Sequence, residues 1–230
     1  MLESMRKHMV WMMWVIVGLV TVTFLFFGTR SYDTGGGAVA KVDGYVITSE
    51  DLNRVYRNLY ESYRQVLKDQ FNESYAKMIK AQALRELIEN RLLIEEAERA
   101  GLRVSDEELK THIMRIPAFN VEGKFDKRSY DFYLSRINTT PATFESSQRD
   151  YLLRKKLEQL VEDGVAVTDS ELFAAYASMN PKAKPGDFEK NKESFRQTYL
   201  AEKQREALAV FIKGLQNKAS VKIDEKVLAL

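Results

Sequence analysis

The 230-residue chain carries 35 basic and 33 acidic side chains, two histidines and no cysteine. Without cysteine there is no disulfide, no thiolate nucleophile and no cysteine-bound zinc or iron–sulfur centre, and two imidazoles leave little for acid–base catalysis. Three of the basic residues and one acidic residue fall within residues 1–30, so residues 31–230 hold 32 of each and lack the basic surplus of a nucleic-acid binder.

From Met9 to Thr29 there are 21 residues with no charged side chain. A helix of that length spans about 31 Å, close to the ~30 Å hydrocarbon core of a bilayer. Trp11 and Trp14 sit near one end, and Phe24, Phe26, Phe27 and Tyr32 near the other, and the Trp and Tyr rings among them suit a membrane boundary. Arg6 and Lys7 precede the segment and favour a cytoplasmic N-terminus, although Arg30 weakens the asymmetry. The expected layout is a cytoplasmic start at 1–8, a transmembrane signal-anchor at 9–29, a flexible linker at 30–37 and a helical domain at 38–230. The alternative is a cleaved signal peptide. Its apolar region is usually shorter, and the small-x-small run Ala38-Val39-Ala40 begins 11 residues beyond Phe27 and also reads as a strand. Gly35-Gly36-Gly37 reads as a tether, because no Gly-Lys-Ser/Thr follows to make a phosphate loop, and no nucleotide is expected.

Three nine-residue stretches share one pattern: GYVITSEDL from Gly44, GLRVSDEEL from Gly101 and GVAVTDSEL from Gly164. In each, a glycine permits a left-handed stop and a β-branched residue packs. Thr48, Ser105 or Thr168 then caps a helix while Asp51, Glu108 or Glu171, three residues on, bonds back. Apolar residues from Leu52 to Leu67 follow a 3.6-residue period and predict a helix to about Lys68. A second helix is expected over about Glu73 to Ala100, and a short one from Ser105 that ends before Pro117. Phe119 to Gly123 reads as a turn, Asp126 as the cap of a helix to about Ile137, and Thr140-Pro141 as the start of a helix to Asp163. A helix after Thr168 meets Asn180-Pro181, and one of about 30 residues follows from near Asp187. Ala38–Val42 and Val221–Ile223 read as short strands that pair with each other, so the fold class is mainly α with a two-stranded β pairing of the domain's ends.

The order of these stretches resembles the N-terminal chaperone region of the SurA and PpiD family of periplasmic folding factors. The residues that carry the resemblance are the basic start with its apolar segment, AVAKVDGYVIT, NRLLIEEAERAGLRVSDEEL, PAFNVEGKFDKRSYDFYL and TPATFESSQRDYLLRKKLEQL. The apolar segment brings the chain nearer to the PpiD branch. The resemblance implies an ATP-independent chaperone in the periplasm, anchored in the inner membrane, that binds apolar and aromatic segments of unfolded or newly exported outer-membrane proteins. It also implies a departure: longer members carry a parvulin prolyl isomerase domain between the helices that here end near Met179 and begin near Asp187. Only the seven residues 180–186 fill that gap. A parvulin site is expected to contain a histidine pair, and this chain has only His8 and His112. The reading is therefore a non-enzymatic module with no cofactor. A membrane-tethered scaffold for one specific partner, or a member with residual isomerase activity, is the alternative.

Glu108 and His112, four apart on one helix face, supply at most two metal ligands, so no metal site is expected. No G-x-S-x-G nucleophile elbow occurs. The aromatic group Phe119, Phe125, Tyr130, Tyr133, Phe144 and Tyr151 belongs to short elements that cannot all bury both sides. Core packing accounts for most of it, and the resemblance implies that the remainder lines an apolar groove for extended client segments.

Overall fold

The structure is a computed structural model that describes residues 37–224 apart from 69–70, 183 and 185. The expected anchor, with Trp11, Trp14, Phe24, Phe26 and Phe27, lies outside the described residues. Among the described residues no helix is long and apolar enough to cross a membrane.

Strand β1 (Ala38–Val42) buries Val39, Ala40 and Val42 and leaves Lys41 in solvent. It turns through Asp43 and Gly44, both at positive φ (44° and 103°), into β2 (Tyr45–Thr48). Two left-handed residues match the twist of a two-residue hairpin. On its other side β1 pairs antiparallel with β5 (Val221–Ile223), with Val42 opposite Val221 and Ala40 opposite Ile223. The expected pairing of the two ends is present, but the sheet has three strands, in the order β2-β1-β5. The Val46-Ile47-Thr48 run forms a strand as well as preparing a helix cap, which a reading of the motif as a helix start alone leaves out.

Seven α-helices follow among the described residues: α1 (Ser49–Leu67), α2 (Glu73–Arg99), α3 (Asp106–Met114), α4 (Lys127–Arg136), α5 (Pro141–Asp163), α6 (Asp169–Met179) and α7 (Asp187–Lys218). The three expected capping boxes all form, at Thr48/Asp51, Ser105/Glu108 and Thr168/Glu171. Gly101 stops α2 at φ 79°, with the Leu102 N–H returning 2.9 Å to the Ala97 carbonyl. Gly164 differs from expectation: its φ is −71°, so it is not a left-handed stop. A Cβ there would lie 3.3 Å from the Val161 carbonyl, so glycine relieves crowding at the end of α5. The stretch read as a turn after Phe119 is a short hairpin, β3 (Asn120–Val121) and β4 (Lys124–Phe125), closed by Glu122 and Gly123 at positive φ.

Two apolar cores result. The larger joins Val39, Val42 and Ile47 of the sheet to Leu52 of α1, Leu84, Leu92 and Leu93 of α2, Leu153 and Leu157 of α5, and Leu215 of α7. The smaller gathers Leu109, Ile113, Phe119, Tyr130, Leu134 and Phe144 around the hairpin. Phe119 is its centre, 1% exposed, with the rings of Tyr130, Tyr133 and Phe144 edge-on at 5.3, 5.2 and 5.8 Å. A third contact set docks α6 on α7 through Tyr176 against Phe188 and Phe195, and Leu172 of α6 is fully buried.

Phe119→Ala is expected to cost about 3–5 kcal/mol in urea unfolding, because the cavity it leaves is walled by rigid rings. Val66→Ala, at an 80% exposed position, is expected to cost less than about 0.5 kcal/mol. Equal midpoints for the two variants would contradict this account of the small core.

Candidate functional site

The small core has too few elements to cover all its sides. Helix α3 starts from the Ser105 cap and turns Leu109 and Ile113 inward, which leaves Lys110 and Met114 one position further round. Opposite it, the hairpin supplies Phe125, α4 supplies Tyr130, and the first turns of α5 supply Glu145 and Arg149. Between them lies an open cleft of about 500 Å³, mainly apolar on its floor, with charged side chains around the mouth. Met114 is 42% exposed within it. A smaller hollow of about 350 Å³ lies beside β5, between Leu84 and Ile88 of α2 and Val221 and Ile223.

Polar contacts fix the walls. One Arg149 nitrogen donates to the Asp106 carboxylate at 2.8 Å and another to the Val104 carbonyl at 2.9 Å, which ties α5 to the start of α3. Lys156 donates to Glu108 at 2.6 Å and to the Arg103 carbonyl at 2.7 Å. The Lys156 ammonium beside Glu108, with the Ser105 N–H second, holds the Glu108 carboxyl down at about 2. Across the cleft the Tyr130 hydroxyl donates to Glu145 at 3.4 Å. Burial, with the Glu145 charge second, pushes the Tyr130 phenol up. Lys127 is paired with Asp131 at 2.6 Å.

The six aromatics of the sequence reading separate into three groups. Phe125 and Tyr130 line the cleft. Phe119 and Phe144 lie behind it in the core, at 1% and 8% exposure. Tyr133 packs on Phe119 from the outer side, and Tyr151 lies apart with its ring 5.6 Å from that of His112. The apolar wall from α3, Leu109, Ile113 and Met114, is absent from the sequence-based site. Its signal is present as the stripe of a short helix with a methionine beside it, which reads equally as core. Glu108 and His112 are engaged elsewhere, His112 through Nε2 to the Gln148 Oε1 at 3.0 Å. Among the described residues no group of three or more acidic or histidine side chains could hold a metal ion.

Residues 1–158 match the family described as the SurA-like N-terminal domain. The chain is 33% identical over 162 residues to the periplasmic chaperone PpiD of Escherichia coli strain K12, an alignment covering 67% of this chain and 25% of that protein. It is 30% identical over 158 residues to PpiD of Haemophilus influenzae, covering 66% and 25%. The chain thus spans about a quarter of the length of these relatives. Among solved structures, it is similar to a chain described with the virulence factor PEB4 and the periplasmic protein Cj1289, two SurA-like chaperones of Campylobacter jejuni. The TM-score is 0.56 at 13% identity, covering 82% of this chain and 99% of that one, a likeness of fold.

The clamp between Glu108 and Lys156, which ties the start of α3 to α5, has an acid limit. Because the folded carboxyl is lowered from 4.5 to about 2, its contribution is complete above about pH 4.5 and is lost as pH falls through about 2. Amide protection factors at the start of α3 are expected to fall over that window, and Glu108→Gln, which removes the charge facing Lys156, is expected to lower them already at neutral pH. Unchanged protection of the Ser105 and Glu108 amides down to about pH 2 would contradict the clamp.

Proposed function

The chain belongs to the family of SurA-like N-terminal domains, and from that premise we propose that it is an ATP-independent chaperone of the bacterial periplasm. It holds apolar segments of unfolded or newly exported polypeptides, outer-membrane proteins among them. The observation that carries this reading is the open apolar cleft between α3, the β3–β4 hairpin, α4 and α5. An apolar surface left uncovered in a domain whose other helices are packed marks a place where another chain binds. The relatives named as periplasmic chaperones support the compartment and the role.

Within this reading Phe125 and Tyr130 touch the client together with Met114, and Phe119 and Phe144 stiffen the floor. Tyr133 and Tyr151 offer rings outside the cleft. A client segment that hides roughly 400 Å² of apolar surface gains ~10 kcal/mol gross, at ~25 cal/mol/Å². Ordering a flexible peptide offsets much of it. Binding is therefore weak, broad and reversible, as suits a holding role that uses no nucleotide.

Residues 9–29 anchor the chain in the inner membrane as a single pass, with the domain on the periplasmic side. The 21 uncharged residues and the preceding Arg6 and Lys7 support this. The module performs no covalent chemistry of its own: the seven residues 180–186 stand where longer members of the family are expected to hold an isomerase domain.

The full chain in lipid nanodiscs is expected to suppress aggregation of a urea-diluted outer-membrane protein while leaving prolyl isomerisation of a short peptide at its buffer rate. Met114→Glu places a charge in the cleft at an already exposed position and is expected to reduce suppression several-fold with little change in the unfolding midpoint. Isomerase turnover above background, or a Met114→Glu variant as effective as the parent, would overturn the proposal.

A further inference from the structure

Among the described residues β5 pairs with β1 alone, so the strand order β2-β1-β5 leaves its outer edge without a neighbour. The phase of that edge is fixed. The Asp43 N–H donates to the Ser220 carbonyl at 3.1 Å and the Asp224 N–H to the Val39 carbonyl at 3.0 Å, so residues 220, 222 and 224 turn their main-chain groups toward β1. Val221 and Ile223 turn theirs outward. Their N–H and C=O groups meet no hydrogen-bond partner among the described residues.

The two faces of β5 differ. Val221 and Ile223, the latter 42% exposed, line the hollow of about 350 Å³ together with Leu84 and Ile88 of α2. Lys222 points to the opposite face, directly across from Lys41 of β1. Neither lysine has an ion pair among the described residues, and like charges placed opposite each other destabilise a strand pair. The acids nearby do not relieve them. The Asp43 carboxylate is held by the Ser220 N–H and Arg99, Glu89 accepts from Gln216, and Asp224 forms an ion pair with neither lysine.

Two outward-facing residues, an apolar hollow on one face and an uncompensated lysine pair on the other define what an added antiparallel strand must carry. Apolar residues opposite Val221 and Ile223 enter the hollow, and the residue between them lands beside Lys222, where an acid is favoured and a base repelled. A second copy of β5 fits badly, because two such strands paired about their centres set Lys222 against Lys222. We infer that the outer edge of β5 receives an extended apolar–acidic–apolar segment of a partner protein as a fourth strand. The site selects by sequence, unlike a broad holding cleft, and it stands independently of what the cleft between α3 and α5 holds.

The test uses the full chain in nanodiscs, with amide exchange at Val221 and Ile223 as the readout. The probe is a peptide of about ten residues that alternates valine and glutamate. At saturation it is expected to slow exchange at both amides at least about tenfold, with the Ser105 and Glu108 amides beside the cleft unaffected. A peptide alternating valine and lysine is expected to bind at least about threefold more weakly. The glutamate peptide with methylated amide nitrogens is expected to protect neither residue, since it cannot complete the ladder. Lys222→Glu, on the solvent face, is expected to reverse the order of the two charged peptides. Unslowed exchange with the glutamate peptide, equal binding of the two charged peptides, or equal protection by the methylated one would overturn the inference. Slowing that grows with chain concentration in the absence of peptide would assign the edge to a second copy. An unfolded outer-membrane protein that protects Val221 and Ile223 as well as the glutamate peptide does would make the edge a client contact. Either result would overturn the inference too.

Discussion

The pairing of β5 with β1 is the constraint on which the rest of the fold depends. Asp43, at the turn between β1 and β2, accepts the Ser220 N–H at 2.8 Å across 177 residues of chain and donates its own N–H to the Ser220 carbonyl at 3.1 Å. Arg99 at the end of α2 reaches the same carboxylate at 3.3 Å. One short turn therefore fixes three distant pieces: the start of the sheet, the end of α2 and the end of α7. The entropic cost of closing so long a loop grows only with the logarithm of its length, so a few buried strand residues and a hydrogen-bonded clasp can sustain it. With its last residues held at the sheet, α7 must lie across α2 and α5, and the larger core follows.

That closure also explains where surface is left over. The sheet, α1, α2, α5 and α7 share the larger core, whereas α3, the hairpin and α4 pack on each other and on α5. Nine-residue α3 and ten-residue α4 are too short to enclose Phe119 and also to shield the far side of Tyr130 and Phe125. The cleft is what remains, and its walls are stiff because Arg149 and Lys156 rivet α3 to α5. A rigid, open, apolar hollow binds flexible chains by their side chains without first having to form, which limits the ordering cost to the client.

The helices were legible in the sequence because their signals are local. Thr48, Ser105 and Thr168 announce their capping boxes within four residues, and the α1 stripe from Leu52 to Leu67 keeps a helical period. The β1–β5 pairing was legible from two short alternating runs at the domain's ends. The third strand was hidden because Val46, Ile47 and Thr48 serve a strand and a cap at once, and the β3–β4 hairpin because two-residue strands leave no period to read. At Gly164 residue type alone was misleading: glycine there answers to a neighbouring carbonyl, not to a left-handed φ. The cleft was half legible. Phe125 and Tyr130 stand in the sequence beside Phe119 and Phe144, and nothing local separates rings that face solvent from rings that face the core. Leu109, Ile113 and Met114 join them only through tertiary packing.

The central claim is that this cleft, and not some other exposed apolar patch, receives unfolded chain. A photo-crosslinking residue placed at position 114 or, for comparison, at Leu160, 58% exposed on α5, tests it directly in the full chain. Offered an outer-membrane protein freshly diluted from urea, the probe at 114 should capture it while the probe at 160 does not, and neither should capture the same protein once folded. Equal capture at both positions, or capture of the folded form at 114, would contradict the account.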